Sequence, residues 1–296
     1  MTLAIFEGVE GNRLVATRYG LGNGPPIILS HGGGQTRHAW DTTGARLADT
    51  GYTVFAYDHR GHGESDWVVS KKYRFDDFAR DQIAIAESVL VETGKHPVIV
   101  GASLGGISAM LASSHGKADL FSAFVMVDIT PWMDLNGVSR IQGFMRERMH
   151  EGFQSLDEAA DAIAQYLPHR ARPKSMNGLA KNLRLGDDGR YRWHWDPATL
   201  DGPSPYDTDP DDLIQRMETG AKLMAAPTLL LRGKRSELIT LDHVRDFQTL
   251  VPHAEFVDIG GAGHMIAGDD NDVFSASLIA FLERAIPVKH SLAQKK

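Results

Sequence analysis

The stretch Pro97-Val-Ile-Val-Gly-Ala-Ser103-Leu-Gly-Gly-Ile-Ser-Ala109 decides the fold. Its first residues after Pro97 are apolar and β-branched, as in a short strand buried on both faces. Gly-x-Ser-x-Gly-Gly follows, and then a helical pattern from Leu104 to Ser114. A serine on so sharp a strand-to-helix turn needs small neighbours, because the backbone doubles back with strained dihedrals. Gly101, Gly105 and Gly106 supply that room. The turn also aims the Leu104 amide at a developing oxyanion and sets Ser103 at a helix N-terminus, where negative charge is favoured. A plain capping serine would share the five letters, but not the strand before them and the helix after.

On both sides of this stretch, short apolar runs alternate with longer amphipathic ones, which predicts a largely parallel sheet covered by helices. Asn12–Tyr19 alternates like a half-exposed strand. Pro26–Ser30, Thr53–Tyr57, Val98–Val100, Phe124–Val127 and Thr228–Leu231 read as buried strands, and Glu255–Ile259 as the last strand. Helices are expected at Ala39–Asp49, Phe75–Glu92, Leu104–Ser114, Leu241–Leu250 and Asn271–Ala285. In Phe75–Glu92, Phe78, Ile83, Ala86 and Leu90 recur at helical spacing.

The alternation breaks between Pro131 and Lys222, where helical segments replace strand patterns. Val138–His150, Leu156–Leu167, Ser175–Leu183 and Asp211–Met224 read as helices, and the Pro- and Asp-rich stretch from Asp196 to Asp212 as an ordered return loop. Two domains are therefore expected: a core of residues 1–130 and 223–296, and a helical insertion of residues 131–222.

Two further elements belong to the chemistry of Ser103. His31-Gly-Gly-Gly34 directly follows the strand Pro26–Ser30. Backbone amides in such a loop can approach an alkoxide without obstruction, and Gly33 is the expected second oxyanion donor, with Gly34 as the alternative. His31 reads as a buried histidine that orders the loop. Gly260-Gly-Ala-Gly-His264 falls after the last strand and before the final helix. A general base for Ser103 needs a histidine on a loop at the same sheet edge, and of 13 histidines His264 has that place.

Composition narrows the chemistry. The 296 residues hold no cysteine, which removes disulfides, thiolate metal sites and a cysteine nucleophile. A net charge of −7 offers nothing to nucleic acid or an anionic membrane, so the expected partner is a small-molecule substrate. MTLAIFEGVEG lacks a basic leader region, and no apolar window reaches the roughly 18 residues of a membrane span. A cytoplasmic location is the expectation.

Together these residues resemble the α/β-hydrolase superfamily over nearly the whole chain, in the order oxyanion loop (His31–Gly34), nucleophile (Ser103), acid, histidine (His264). Tyr57-Asp-His-Arg-Gly-His-Gly-Glu-Ser65 is similar to that family's D-x-R-G-x-G-x-S turn, and Asp58 and Arg60 are expected to pin loops. The resemblance implies a mostly parallel eight-stranded sheet flanked by helices, the insertion forming a helical cap over the active site. Two residues compete for the acid. Asp128, in Val-Asp-Ile-Thr-Pro131, resembles the V-D-I-x-P pattern of family esterases whose acid follows the sixth strand. Glu237 follows the seventh strand, where most of the superfamily keeps an aspartate. We take Asp128 first and Glu237 as the alternative.

The cap's aromatics suggest a pocket, with Trp132 at the hinge, Phe144 and Trp195 as substrate contacts, and His38 beside the oxyanion loop. For Phe144 the competing expectation is the cap's own small core. The reading is a carboxylesterase-like serine hydrolase acting through an acyl-enzyme, with no metal or organic cofactor required. The alternatives are a C–C bond hydrolase or lactonase of aromatic catabolism, a cofactor-free haloperoxidase, and a small-ligand receptor on the same fold. A serine at the turn argues against the family branches that use aspartate there.

Overall fold

The uninterrupted apolar runs become the interior of one sheet. The structure, a computed structural model, describes residues 1–20, 22–168, 176–201, 210–260, 263 and 272–288. The chain opens with β1 (Thr2–Glu7) and β2 (Arg13–Tyr19). It then alternates β3 (Pro26–Ser30), α1 (Asp41–Asp49), β4 (Thr53–Tyr57), α2 (Phe75–Thr93), β5 (Val98–Ala102), α3 (Leu104–Ala112) and β6 (Ala123–Val127). After β6 come α4 (Leu135–Arg146), α5 (Leu156–Tyr166), α6 (Asn177–Ala180), β7 (Leu183–Leu185), β8 (Tyr191–Trp193) and α7 (Ala198–Asp201). The chain continues through α8 (Pro210–Lys222), β9 (Thr228–Gly233), α9 (Leu241–Leu250), β10 (Glu255–Ile259) and α10 (Asp272–Ala285).

Among the described residues, eight strands form one sheet in the order β1-β2-β4-β3-β5-β6-β9-β10. From β4 to β10 all pairs are parallel, while β2 runs antiparallel to both β1 and β4. Every residue of β3, β4, β5, β6 and β9 is buried, because helices cover both faces. One apolar cluster holds Phe78, Ile85, Met110, Met217 and Phe247 of α2, α3, α8 and α9. The other packs Leu47 of α1 and Leu278 and Phe281 of α10 on the opposite face.

The chain leaves β3 towards β4 on one side and returns to β5 on the other. Between β3 and β5 the order reverses, and in open α/β sheets ligands bind outside the strand carboxyl ends at such a point. The loops after β3, β5, β6 and β9 leave these adjacent strands at that edge.

β1 was not expected from the sequence. Its Leu3 and Ile5 are exposed and only Phe6 is buried, so its apolar residues do not mark a core face. The insertion differs from its helical expectation too. β7 and β8 form an antiparallel hairpin across Gly186–Gly189, with the Gly186 amide donating to the Arg190 carbonyl at 2.8 Å. Three-residue strands are too short to show a period, and only Leu183 and Trp193 turn inward. Residues 134–201 pack their own cluster of Met149, Phe153, Ala159, Leu179, Leu183, Trp193 and Trp195. In α8, Leu213, Met217 and Ala221 join the sheet's cluster instead.

Helix starts follow local chemistry. Asp134 caps α4 by accepting from the Asn136 and Gly137 amides at 2.8 and 3.1 Å, so α4 begins three residues before the expected Val138. Ser155 caps α5 through the Glu158 amide at 3.1 Å.

Candidate active site

The turn between β5 and α3 is as tight as its glycines require. Ser103 sits at φ 45° and ψ −109°, a strained conformation for a residue with a side chain. A β-carbon on Gly101 would lie 2.6 Å from the Gly105 carbonyl, and one on Gly105 would lie 2.4 Å from the Ser30 carbonyl oxygen. The Ser103 amide donates to Val127 of β6 at 3.2 Å, and its carbonyl accepts from Gly106 and Ile107 at 2.9 Å each. Gln82 of α2 braces the turn from beneath, its Nε2 donating to the Gly105 carbonyl at 3.1 Å and reaching Ser30 Oγ at 3.1 Å.

The His31–Gly34 loop lies beside this turn. A β-carbon on Gly32 would be 3.5 Å from that of Ser103, while one on Gly33 would meet nothing within 4 Å. His31 Nδ1 donates to the Gly32 carbonyl at 2.8 Å, and the Gln35 amide donates to the same oxygen at 3.2 Å. In a trans peptide the N–H points opposite to the C=O, so this clamp turns the Gly33 amide away from His31. His31 Nε2 accepts from the His59 amide at 3.1 Å, which fixes the tautomer. The Gly34 amide is already committed, donating to His62 Nε2 at 3.2 Å, while His62 Nδ1 donates to the Arg60 carbonyl at 3.0 Å. Among the described residues, neither the Gly33 amide nor the Leu104 amide has a hydrogen-bond acceptor.

Three histidine rings pack under the loop, His31 and His59 at 4.6 Å and His31 and His62 at 5.3 Å between centroids. Burial lowers His31 to about 4 and His62 to about 3, and holds His59 well below its ordinary value. All three are therefore neutral at pH 7, as the accepting Nε2 of His31 and of His62 requires of those two.

The turn following β4 is a set of ion-paired anchors. Asp58 accepts from the Arg37 amide at 2.6 Å and the Glu64 amide at 3.0 Å, and pairs with the Arg37 guanidinium. Arg60 is fully buried and grips Asp81 of α2 through Nε and Nη2 at 2.7 and 2.8 Å, with Glu10 at 2.8 Å. These residues brace the loops, as the sequence reading expects.

Asp128 ends β6 fully buried, at φ 53°. Its Oδ1 accepts from the Gly233 amide at 3.1 Å and its Oδ2 from Ser236 Oγ at 2.6 Å. Four described non-glycine residues have positive φ, and Ser103 and Asp128 are two of them. Glu237 is held differently. Tyr166 Oη of α5 donates to its Oε1 at 2.7 Å, and Arg140 of α4 pairs with its Oε2 at 2.9 Å. Burial, then the Glu237 contact, raises Tyr166 above its ordinary value.

His264 lies outside the described residues, as do residues 261–262 and 265–271 around it. Trp132 is half-buried between Asp128 and α4, with its carbonyl accepting from Thr130 Oγ1 at 2.6 Å. His38 lies in a cleft of about 150 Å³ shared with Arg37, Gly63, Lys181 and His194, and contacts Asp41 at 3.1 Å. Phe144 stacks on Tyr166 at 4.3 Å, and Trp195 is 2% exposed within the insertion's own cluster. The helix α4 supplies Val138 and Ile141 to the sheet's cluster, while Met145 reaches the His31–Gly34 loop, 3.0 Å from where a Gly34 β-carbon would stand.

Sequence reasoning passed over Gln82 and Ser236. Neither stands in a motif, and each reaches its partner only because separate strands and helices meet. Among the described residues no group of His, Asp and Glu could hold a metal ion, and no helix is long and apolar enough to cross a membrane.

Residues 25–270 match the alpha/beta hydrolase fold family, and the chain belongs to it. It is 28% identical over 271 residues to Esterase Rv0045c of Mycobacterium tuberculosis (strain ATCC 25618 / H37Rv), covering 89% of this chain and 84% of that protein. It is 26% identical over 272 residues to the Non-heme chloroperoxidase of Burkholderia pyrrocinia, covering 87% and 91%. The crystal structure of E-2-(acetamidomethylene)succinate hydrolase superposes with a TM-score of 0.78 at 20% identity, over 95% of this chain and 99% of that one, a likeness of fold. The esterase relative supports hydrolytic chemistry on this scaffold.

Proposed function

We propose that this protein is a serine hydrolase that cleaves a carboxylic ester of a small, partly apolar substrate through an acyl-enzyme. The observation that carries the reading is Ser103 on its strained turn, beside two amides, of Gly33 and Leu104, without acceptors among the described residues. His264 takes the Ser103 proton as Oγ attacks the carbonyl carbon, and the two amides hold the resulting oxyanion. The protonated His264 passes its proton to the departing alkoxide, which leaves as the alcohol. It then takes a proton from water, whose oxygen attacks the acyl carbon, and returns that proton to Ser103 as the acid departs.

Asp128 is the acid in this reading. It sits at the end of the strand next to β5, with its carboxylate oriented by the loop after β9. Glu237 already spends both oxygens on α4 and α5, which favours an anchoring role. Residues 131–222 serve as the cap. Within them Trp132 and the α4 face of Val138, Ile141 and Met145 border the apolar part of the substrate, and His38 marks the other side of the oxyanion loop. The relative named as an esterase agrees with ester cleavage.

Labelling with a fluorophosphonate tests the nucleophile. Wild type is expected to label and Ser103→Ala to be inert at equal folded content. A folded wild type that resists the probe overturns the assignment. A p-nitrophenyl ester series of increasing acyl length then tests the bond. Negligible rates on every ester by a protein that still labels would transfer the reading to a C–C hydrolase or lactonase.

A further inference from the structure

The loop after β9 is where most of the superfamily keeps its acid, and here it holds a hydroxyl directed at Asp128 of the neighbouring strand. We infer that Ser236 is a positioning residue, one that sets the Asp128 carboxylate in its working orientation; this rests on the reading of Asp128 as the triad acid.

A serine hydroxyl has one proton and two lone pairs. At Ser236 Oγ the Leu238 and Ile239 amides each donate at 3.1 Å, which occupies the lone pairs. The remaining direction belongs to the proton, and the partner there is Asp128 Oδ2 at 2.6 Å, a length typical of a charge-assisted O–H···O⁻ bond. The hydroxyl is thus a donor of fixed direction, unable to rotate without breaking two bonds to its own loop. Its backbone is also fixed, with the Ser236 amide donating to the Gly233 carbonyl at 2.8 Å.

The aspartate needs such a holder. Asp128 occupies φ 53°, where a side-chain-bearing residue is strained, and its backbone amide is tied to Leu231 at 2.7 Å. With the backbone fixed, the carboxylate can still turn about its side-chain torsions. Gly233 fixes one oxygen and Ser236 the other, so the carboxylate plane is set from β9 and its loop. An acid that must keep a histidine in one orientation loses its use if its own plane drifts.

A double-mutant cycle on a p-nitrophenyl ester reads this role through the conservative and non-conservative replacements. Ser236→Ala is expected to lower kcat about tenfold with KM within about twofold, and Ser236→Thr, which keeps the hydroxyl, to recover most of that loss. In the Asp128→Asn background the Ser236→Ala change is expected to cost less than about twofold more, since the group it serves is already disabled. The same tenfold loss in both backgrounds overturns the proposal while leaving the Asp128 assignment intact. Full activity of Asp128→Asn overturns that assignment instead. If Ser236→Ala fails to fold, Ser236→Cys, of similar size with a weak donor, carries the same cycle, and a wild-type kcat in it overturns the proposal.

Discussion

At the level of single residues, the two carboxylates that compete for one role are separated by what already surrounds them. Asp128 meets donors that leave it at the strand edge, whereas Glu237 is consumed by a tyrosine and an arginine from two helices. Asp128→Asn is therefore expected to lower kcat/KM by roughly 10²- to 10⁴-fold, and Glu237→Gln by less than about tenfold. The reverse ranking, in steady-state kinetics on one ester, would move the acid to the loop after β9. Ser103 was legible because a strained turn demands small residues in a fixed pattern. Ser236 was not, because a serine in a loop carries no pattern and its partner is 108 positions away.

Elements show how the insertion meets the core. The first turn of α4 lies on the loop after β9 so closely that a β-carbon on Gly137 would stand 2.0 Å from the Glu237 carbonyl oxygen. The Asp134 amide donates to Leu238 at 2.8 Å in the same contact. Gly137→Ala must push α4 off that loop, and is expected to destabilise the protein by about 1–3 kcal/mol in urea melts. It should also raise KM for the longest acyl chains, because α4 borders the proposed pocket; an unchanged melt and KM would mean that the contact is looser than it looks. Tyr166→Phe removes one bond to Glu237 and leaves the stack on Phe144, so a smaller loss, about 1 kcal/mol, is expected. None of this docking could be read in advance, since the expected helix began at Val138 and Gly137 stood just before it, like any glycine in a connection.

For the whole molecule, the buried histidines couple stability to pH. Unfolded, they titrate near 6.5, whereas in the fold burial lowers His31 to about 4 and His62 to about 3. Between those values the unfolded chain binds more protons, so stability is full above about pH 6.5 and falls as the pH drops below it. The loss is at most about 1.4 kcal/mol per pH unit for each histidine. Urea melts from pH 7.5 to 4.5 should show that slope, and His62→Phe should reduce it. A flat profile would mean that these rings are not held neutral by the fold.

The sequence alone determined the centre of the sheet, because strands covered on both faces must be continuously apolar, and β3 and β4 begin and end where that pattern does. It also determined the serine turn and the glycine loop, since close backbone approach excludes side chains there. The β1 edge and the β7–β8 hairpin escaped it, the first because its apolar residues face outward and the second because three residues show no period. Only the tertiary structure decided which carboxylate is engaged by helices and which by the strand edge. It alone showed that His31 clamps the peptide before Gly33 and that a serine holds Asp128. Such choices depend on distances between residues far apart in the chain, and local pattern carries no information about them.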